Sequence, residues 1–282
     1  MKHGTLYVVP TPIGNLRDIT LRALEVLESA DLVAAEDTRQ SLKLLNHFNI
    51  KKPLISYHKF NEQNKSRSII DLLREGKDIA LVSDAGTPGI SDPGSVIIKK
   101  CIEEQIDFIV LPGATAVTTA LVYSGLDTDR FMFLGFFPRE TKDRKKLMGE
   151  IRDRRETLIM YEAPHRLLEA LAYLGEALGD REMAVCRELT KLHEEIFRGT
   201  IREAAEHFGS KQIKGEIVLV IRGKSEEEIF QEKKAGWENM SVQEHIISYM
   251  NQGFSKKESV KLVSADRDVP KSEIYKFSTE IE

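Results

Sequence analysis

Ile79-Ala80-Leu81-Val82 runs directly into Ser83-Asp84-Ala85-Gly86-Thr87-Pro88-Gly89-Ile90-Ser91-Asp92-Pro93-Gly94, and this junction decides the fold. A short apolar run closed by turn residues reads as a buried strand, and α/β proteins place ligands at the C-terminal edges of such strands. The loop holds three glycines, two prolines and two carboxylates. Glycine admits close backbone approach to a ligand, proline holds the loop open, and Asp84 offers an acceptor to hydroxyls or positive charge. A plain strand-to-helix turn is the alternative for any Gly/Pro cluster, but twelve residues exceed what a turn needs.

Outward from this junction, strand and helix signals alternate. Thr5 to Val9, Leu32 to Ala35, Pro53 to Ser56 and Phe108 to Leu111 read as further strands, separated by helical patterns at Leu21 to Glu28, Ser66 to Arg74 and Ser95 to Glu104. That order predicts a parallel sheet with crossover helices. A second set of strands begins after the linker-like Ser124-Gly125-Leu126-Asp127-Thr128-Asp129-Arg130, at Phe131 to Gly135, Thr157 to Tyr161, Met183 to Arg187, Glu194 to Arg198 and Glu216 to Ile221. Helical patterns fall near Lys142 to Asp153, Leu167 to Leu178 and Ile201 to Phe208. The expected organisation is two tandem α/β domains, residues 1–127 and 128–224. A charged linker at 225–240 comes next, then a helix-turn-helix-like module at 241–282 with helices at Val242 to Met250, Lys256 to Ser264 and Ser272 to Ile281. The segment Trp237 to Glu282 carries a net charge of −2, so RNA docking and a packing or dimer-supporting role both stay open for it.

With 282 residues, 41% hydrophobic and 30% charged, the chain can bury two modest cores. Its net charge of −4 argues against wholesale coating of a polyanion and leaves nucleic-acid contact to local patches. The two cysteines, Cys101 and Cys186, lack metal-type spacing and sit in apolar or helical patterns, as buried free thiols do in a reducing, cytoplasmic setting. The start, Met1-Lys2-His3-Gly4-Thr5, enters a strand at once, and no apolar run approaches the roughly 18 residues that cross a bilayer.

Other loops are expected at the same sheet edge: Pro10 to Asp18 after the first strand, Glu36-Asp37-Thr38-Arg39 after the second, and Pro112-Gly113-Ala114-Thr115-Ala116 after the fifth. Neither G-x-G-x-x-G after the first strand nor G-x-x-x-x-G-K-[ST] occurs, so neither a dinucleotide fold of the usual kind nor a P-loop is supported. Carboxylates and backbone carbonyls suit a nucleoside-like ligand with a positive centre, of which S-adenosylmethionine is one.

Leu6 to Thr20, Glu36 to Arg39, Ser83 to Gly94, Pro112 to Ala116 and Tyr161-Glu162-Ala163-Pro164-His165-Arg166 together resemble the ribosomal RNA small subunit methyltransferase I family, part of the tetrapyrrole methylase superfamily. The resemblance covers about residues 4 to 223, and the tail is similar to a helical module that members often carry. It implies S-adenosylmethionine-dependent methylation of a cytidine ribose 2′-hydroxyl in the decoding region of 16S ribosomal RNA, by a cytoplasmic homodimer with the cofactor between the two α/β halves. The first loop reads Thr11-Pro12-Ile13-Gly14-Asn15-Leu16-Arg17-Asp18 where superfamily members acting on tetrapyrroles carry a G-x-G-P-G-D-type loop, which speaks against a porphyrin or corrin substrate. Carried over by position, the resemblance puts Pro12, Asp84, Gly86, Gly89, Ile90, Ala114, Thr115, Leu134, Tyr161, Glu162 and Ile217 around the cofactor.

The implied chemistry is an in-line displacement that needs neither a metal nor a protein nucleophile. Positioning carries most of it, and a base takes the hydroxyl proton. Glu36 and Asp37 are first choice, an acid pair beside Arg39; His58, Glu188 and Lys191 are the other candidates, and mere pairing of Glu36 with Arg39 stays open. For RNA, Arg139 to Arg155 has a local excess of four positive charges beside Phe136-Phe137-Pro138, whose rings could stack on a base, although a charged helix face is often only solvated. Arg17, Arg39, His58, Asn61, Arg139, Lys145, His165 and Arg166 are therefore the candidate RNA contacts, with capping by His58 and a structural ion pair of Arg166 as plain alternatives. A small-molecule methyltransferase and a non-catalytic RNA-binding assembly factor remain as other readings.

Overall fold

The computed structural model describes residues 3–279 and 281. Its first part runs β1 (Leu6–Val8), α1 (Leu21–Ser29), β2 (Leu32–Ala35), α2 (Thr38–His47), β3 (Leu54–Ser56), α3 (Glu62–Arg74), β4 (Ile79–Val82), α4 (Ser95–Glu103), β5 (Phe108–Val110) and α5 (Ala116–Ser124). The strands form one parallel sheet in the order β3-β2-β4-β1-β5. β2 and β4 are buried at every residue, which explains their unbroken apolar sequences: a parallel sheet is covered on both faces. Leu27 and Leu45, from α1 and α2, join one core cluster, while Ile69 and Leu73 of α3 and Ile97 and Cys101 of α4 join another. The chain leaves β1 toward β2 but leaves β4 toward β5, so the neighbours β1 and β4 mark the point where connections diverge and a crevice opens.

The second part comprises β6 (Phe131–Phe136), α6 (Thr141–Ile151), β7 (Thr157–Glu162), α7 (Leu167–Leu178), β8 (Glu182–Arg187), β9 (Glu195–Thr200), α8 (Ile201–Gly209) and β10 (Ile217–Ile221). Its sheet has the order β6-β7-β10-β8-β9, and only β6 and β7 pair in parallel. Val117, Ala120 and Leu121 of α5 pack against Ile159, Ala184, Cys186, Val218 and Val220 of this sheet, and the loop after β1 contributes Ile13 to the same cluster. This shared core is why both sheets fall in one compact unit, residues 1–150 and 156–222.

A second compact unit takes residues 151–155 and 223–282, with α9 (Glu226–Trp237), α10 (Val242–Asn251), α11 (Lys256–Arg267) and α12 (Lys271–Ser278). Ile246, Val260, Val263 and Ile274 form its buried cluster. The stretch expected as a linker is thus largely helical. Ser225 accepts from the Glu228 N–H and Glu228 accepts from the Ser225 N–H, a capping box repeated by Ser241 with Glu244 and Ser255 with Glu258. Thr38 and Arg39, read as loop, open α2, whose N-cap is Asp37. The last helix ends at Ser278; the Glu280 and Glu282 ends of the expected tail, like Met1 and Lys2 of the expected start, lie outside the described residues. Cys101 and Cys186 are buried free thiols. Among the described residues no helix is long and apolar enough to cross a membrane, and no group of His, Cys, Asp or Glu could hold a metal.

Candidate active site

The loops after β1 and β4 are stapled together where the sheet's connections diverge. Thr11 and Gly86 exchange both backbone hydrogen bonds, at 2.9 and 3.0 Å, and the Thr11 hydroxyl donates to the Ser83 carbonyl at 3.1 Å. The end of β2 joins them: the Asp37 N–H donates to Asp84 Oδ1 at 3.1 Å and the Asp84 N–H to Glu36 Oε2 at 3.5 Å. Thr87 donates to the Ala114 carbonyl at 3.4 Å, tying in the loop after β5. Gly86, with φ of +78°, bends the loop in a way an L side chain resists.

Two cavities adjoin at this staple. One, of about 410 Å³, is lined by Glu36, Asp84 to Thr87 and Ile90 to Asp92 from the first part, and by Phe136, Tyr161 to Pro164 and Gly215 to Val218 from the second. The other, of about 390 Å³, lies among Thr11 to Gly14, Leu16, Gln40, Ser41, Lys43, Leu44, Lys191 and Glu216. Ile13, Asp84, Ala85 and Glu216 line both. The larger cavity combines an aromatic wall with acid groups: the Tyr161 ring lies 5.0 Å from Phe133 and 5.4 Å from Phe136, edge on. Five carboxylates, Glu36, Asp84, Asp92, Glu162 and Glu216, line it.

That crowding sets the electrostatics. Burial raises the Glu36 and Asp84 carboxyls, and each adds to the other's or a neighbour's repulsion. Asp92 is pushed up to about 7 by burial first and then by Glu36, Asp84 and Glu216. Burial and the Asp92 and Glu216 charges push the Tyr161 hydroxyl to about 12. Burial also raises Glu162, whose Oε1 accepts from the Ala163 N–H at 2.7 Å and pairs with Arg166 at 3.3 Å, while its buried Oε2 has no protein partner. Such a buried acceptor calls for a ligand donor.

Of the expected cofactor residues, Asp84, Gly86, Ile90, Tyr161, Glu162 and Ile217 line the larger cavity, and Pro12 the smaller. Gly89, Ala114, Thr115 and Leu134 line neither; Ala116 and Phe136 stand where the last three were expected. Glu36 lines the larger cavity, but Asp37 does not: its carboxylate clasps Arg39 at 2.7 Å, whose side-chain hydrogen bond holds it down to about 2, too weak for a base. Arg39 therefore pairs with Asp37 and not with Glu36. Two other base candidates are tied to each other and to Glu216. At Glu188 the hydrogen bonds from Lys191 and the Glu216 N–H outweigh burial and lower the carboxyl, and at Lys191 the bonds to Glu188 and Glu216 outweigh burial and raise the ammonium.

The candidate RNA residues divide in the same way. Arg17, Arg139, Lys145 and His165 are exposed, and the Arg39 side chain is 86% exposed. Asn61 is spent internally, accepting from the His58 N–H and donating toward Ser56 and His58 Nε2, and His58 Nδ1 is buried. Arg166 donates to the Phe137 and Pro138 carbonyls at 2.9 and 2.8 Å and pairs with Glu162, so it braces the cavity wall from behind. Arg144, counted in the basic run, is buried against Phe137 and Tyr173 and pairs with Glu169 at 2.6 Å. Sequence reading missed Asp92, Gln40 and Lys43; Asp92 stood in the deciding stretch, but nothing in sequence shows which carboxylate is left without a partner.

Comparison with known proteins agrees with this architecture. Residues 5–205 match the model of the tetrapyrrole (corrin/porphyrin) methylases. The ribosomal RNA small subunit methyltransferase I of Bacillus subtilis is 48% identical over 96% of this chain and 93% of its own, and that of Thermotoga maritima 46% identical over 78% of this chain and 99% of its own. A crystal structure of diphthine synthase superposes with a TM-score of 0.64 at 16% identity, over 79% of this chain and 91% of that one, a likeness of fold. The chain belongs to the tetrapyrrole methylase family, in its ribosomal RNA small subunit methyltransferase I branch, and is a methyltransferase.

Proposed function

We propose that the protein transfers a methyl group from S-adenosylmethionine to the ribose 2′-hydroxyl of a cytidine in the decoding region of 16S ribosomal RNA, acting as a cytoplasmic homodimer. One observation carries this reading: two cavities share the Asp84–Ala85 and Glu216 wall, as a reaction between two bound molecules requires. The larger cavity fits the donor. Its volume lies within the roughly 300–1,000 Å³ typical of small-molecule sites, its aromatic and aliphatic wall suits an adenine, and its carboxylates suit a sulfonium and an ammonium. Asp84, Gly86, Ile90, Tyr161, Glu162 and Ile217 would hold it, and Glu162 Oε2 awaits a donor group.

When bound, S-adenosylmethionine supplies an electrophilic methyl carbon. The protein's own part is to orient the acceptor, exclude water and take up a proton. Positioning alone can be worth effective molarities of about 10⁵ M. A ribose hydroxyl is a poor nucleophile, so a cavity carboxylate accepts its proton, a contribution of roughly 10²-fold or more. Exposed Arg139, Lys142, Lys145 and Lys146 flank Phe136 at the cavity mouth in sequence, and suit RNA phosphates with a base stacked on the ring.

The test is to incubate the protein with labelled S-adenosylmethionine and small ribosomal subunits lacking the modification, then digest and identify the labelled nucleoside. 2′-O-methylcytidine is expected. Label on a base, or only on a small tetrapyrrole offered in parallel, would overturn the reading.

A further inference from the structure

Five carboxylates line the larger cavity, and four of them are engaged by the protein. Glu36 accepts the Asp84 N–H, Asp84 accepts the Asp37 N–H, Glu216 pairs with Lys191 at 3.1 Å, and Glu162 holds the Ala163 N–H and Arg166. Asp92 alone makes no hydrogen bond or ion pair among the described residues, although it is more than half withdrawn from solvent. A carboxyl left bare in a ligand cavity is a group held ready for something that is not protein.

The loop that carries it is rigid. The Gly89 N–H donates to the Pro93 carbonyl at 3.2 Å, Ser91 is held at φ of +64°, and Gly94 at φ of +149° lets the loop close so tightly that a Cβ there would lie 2.9 Å from the Gly89 nitrogen. Backbone strain of this kind persists where surrounding structure enforces it, and its effect here is to fix where the Asp92 carboxyl stands.

We propose that Asp92 is the catalytic base, taking the proton from the acceptor's ribose 2′-hydroxyl as the methyl group is transferred. The assignment rests on the function proposed above. In the step, the 2′-oxygen forms a bond to the methyl carbon while the carbon–sulfur bond breaks and its electron pair stays on sulfur. The hydroxyl proton passes to an Asp92 carboxylate oxygen and from there to solvent. The groups facing Asp92 favour this. Glu36 at the end of β2, Asp84 after β4, Glu216 before β10 and Tyr161 of β7 surround it with negative or neutral groups, while Lys191 is tied to Glu188 and Glu216. Together with burial they raise its proton affinity to about 7, where a base works best near neutral pH. A bound cationic donor opposes that repulsion and shifts the group toward its ionised, proton-accepting form.

Two measurements on Asp92→Asn decide the matter: equilibrium dialysis with S-adenosylmethionine, and single-turnover methylation of unmodified small subunits at saturating donor across about pH 5.5 to 8.5. The variant is expected to bind the donor more weakly, since a bound cation favours the ionised carboxylate, and at saturating donor still to lose roughly 10²-fold or more in rate, with the wild-type acid limb absent from what remains. Glu36→Gln is expected to move that limb to lower pH, because a negative neighbour of Asp92 is gone. A variant as fast as wild type, a defect cured by raising the donor concentration, or an acid limb unchanged in Asp92→Asn would each overturn the assignment. Wild-type protein that binds donor yet labels no ribose 2′-oxygen would instead bring down the proposed function, and this assignment with it.

Discussion

Substituting alanine at Gly215 and at Gly135 separates backbone strain from close packing at the cavity wall. Both glycines have positive φ, +89° and +68°, so either alanine incurs the left-handed penalty of about 1–2 kcal/mol. At Gly135 a new Cβ meets nothing within 4 Å, whereas at Gly215 it would lie 2.3 Å from Glu188 Cγ and Cδ. Relief requires Glu188 to swing away from the Glu216 N–H at 3.0 Å and from Lys191 at 2.8 Å. Hydrogen bonds to a charged group are worth about 1.5–3 kcal/mol, so Gly215→Ala should destabilise by about 3–5 kcal/mol against about 1–2 for Gly135→Ala. Urea unfolding of both variants under one buffer measures the difference from the midpoints at equal slope. Gly215→Ala should also bind S-adenosylmethionine more weakly, because Glu216 and Ile217 line the cavity and lose their tether, while Gly135 does not line it. Equal midpoints for the two variants would refute the reasoning, since the close approach of Glu188 would then cost nothing.

Asp84→Ala removes the acceptor of the Asp37 N–H and a carboxylate common to both cavities; equilibrium dialysis should show donor affinity at least about tenfold weaker, and unchanged affinity would place the donor elsewhere. Lys145→Ala should weaken RNA binding with a salt-dependence slope reduced by about one, read from binding isotherms over a salt series, and an unchanged slope would leave that helix face merely solvated. Asp92 binds its proton more tightly folded than unfolded, since about 7 stands above the usual carboxylate value, so wild-type stability is greatest below about pH 4 as far as this group goes and declines as pH rises toward 7. Asp92→Asn should therefore be more stable than wild type near pH 8 by roughly 1–2 kcal/mol, after allowing for solvent screening of a half-buried group, with the gain absent near pH 4; parallel stability curves would contradict it.

Much of the first sheet was legible because a parallel sheet covered on both faces writes its strands as unbroken apolar runs, as Leu32–Ala35 and Ile79–Val82 do. The polar loops at its edge were legible for the same reason, since the residues after each run must lie at the strand's C-terminal end. Strand direction is not written in sequence, so the largely antiparallel pairing of the second sheet could not be read from its apolar segments. The Ser-x-x-Glu pattern at Ser225 and Glu228 did announce α9, but high charge masked it as a linker. The basic run from Arg139 to Arg155 shows the harder limit. Arg144 turns inward because Phe137, Tyr173, the Pro138 carbonyl and Glu169 receive it, and those partners come from segments that only folding brings together.

The same limit separates the adjacent acids Glu36 and Asp37 from Asp92, the proposed base. Glu36 and Asp37 attract attention as adjacent acids, yet adjacency favours local pairing: Asp37 caps α2 and clasps Arg39, and Glu36 accepts the Asp84 N–H. The Arg39 clasp stabilises the charged form of Asp37 and makes it a weaker base, whereas burial outweighs the Asp84 N–H at Glu36 and leaves its carboxyl raised. Asp92 has no hydrogen-bond donor on it among the described residues, and its neighbours across the cavity are other acids. Isolation from hydrogen-bond donors costs stability near neutral pH and raises basicity by the same physical cause. The acid cluster that would be a defect in an ordinary core is therefore what makes this cavity suited to a cationic donor and a proton acceptor at once.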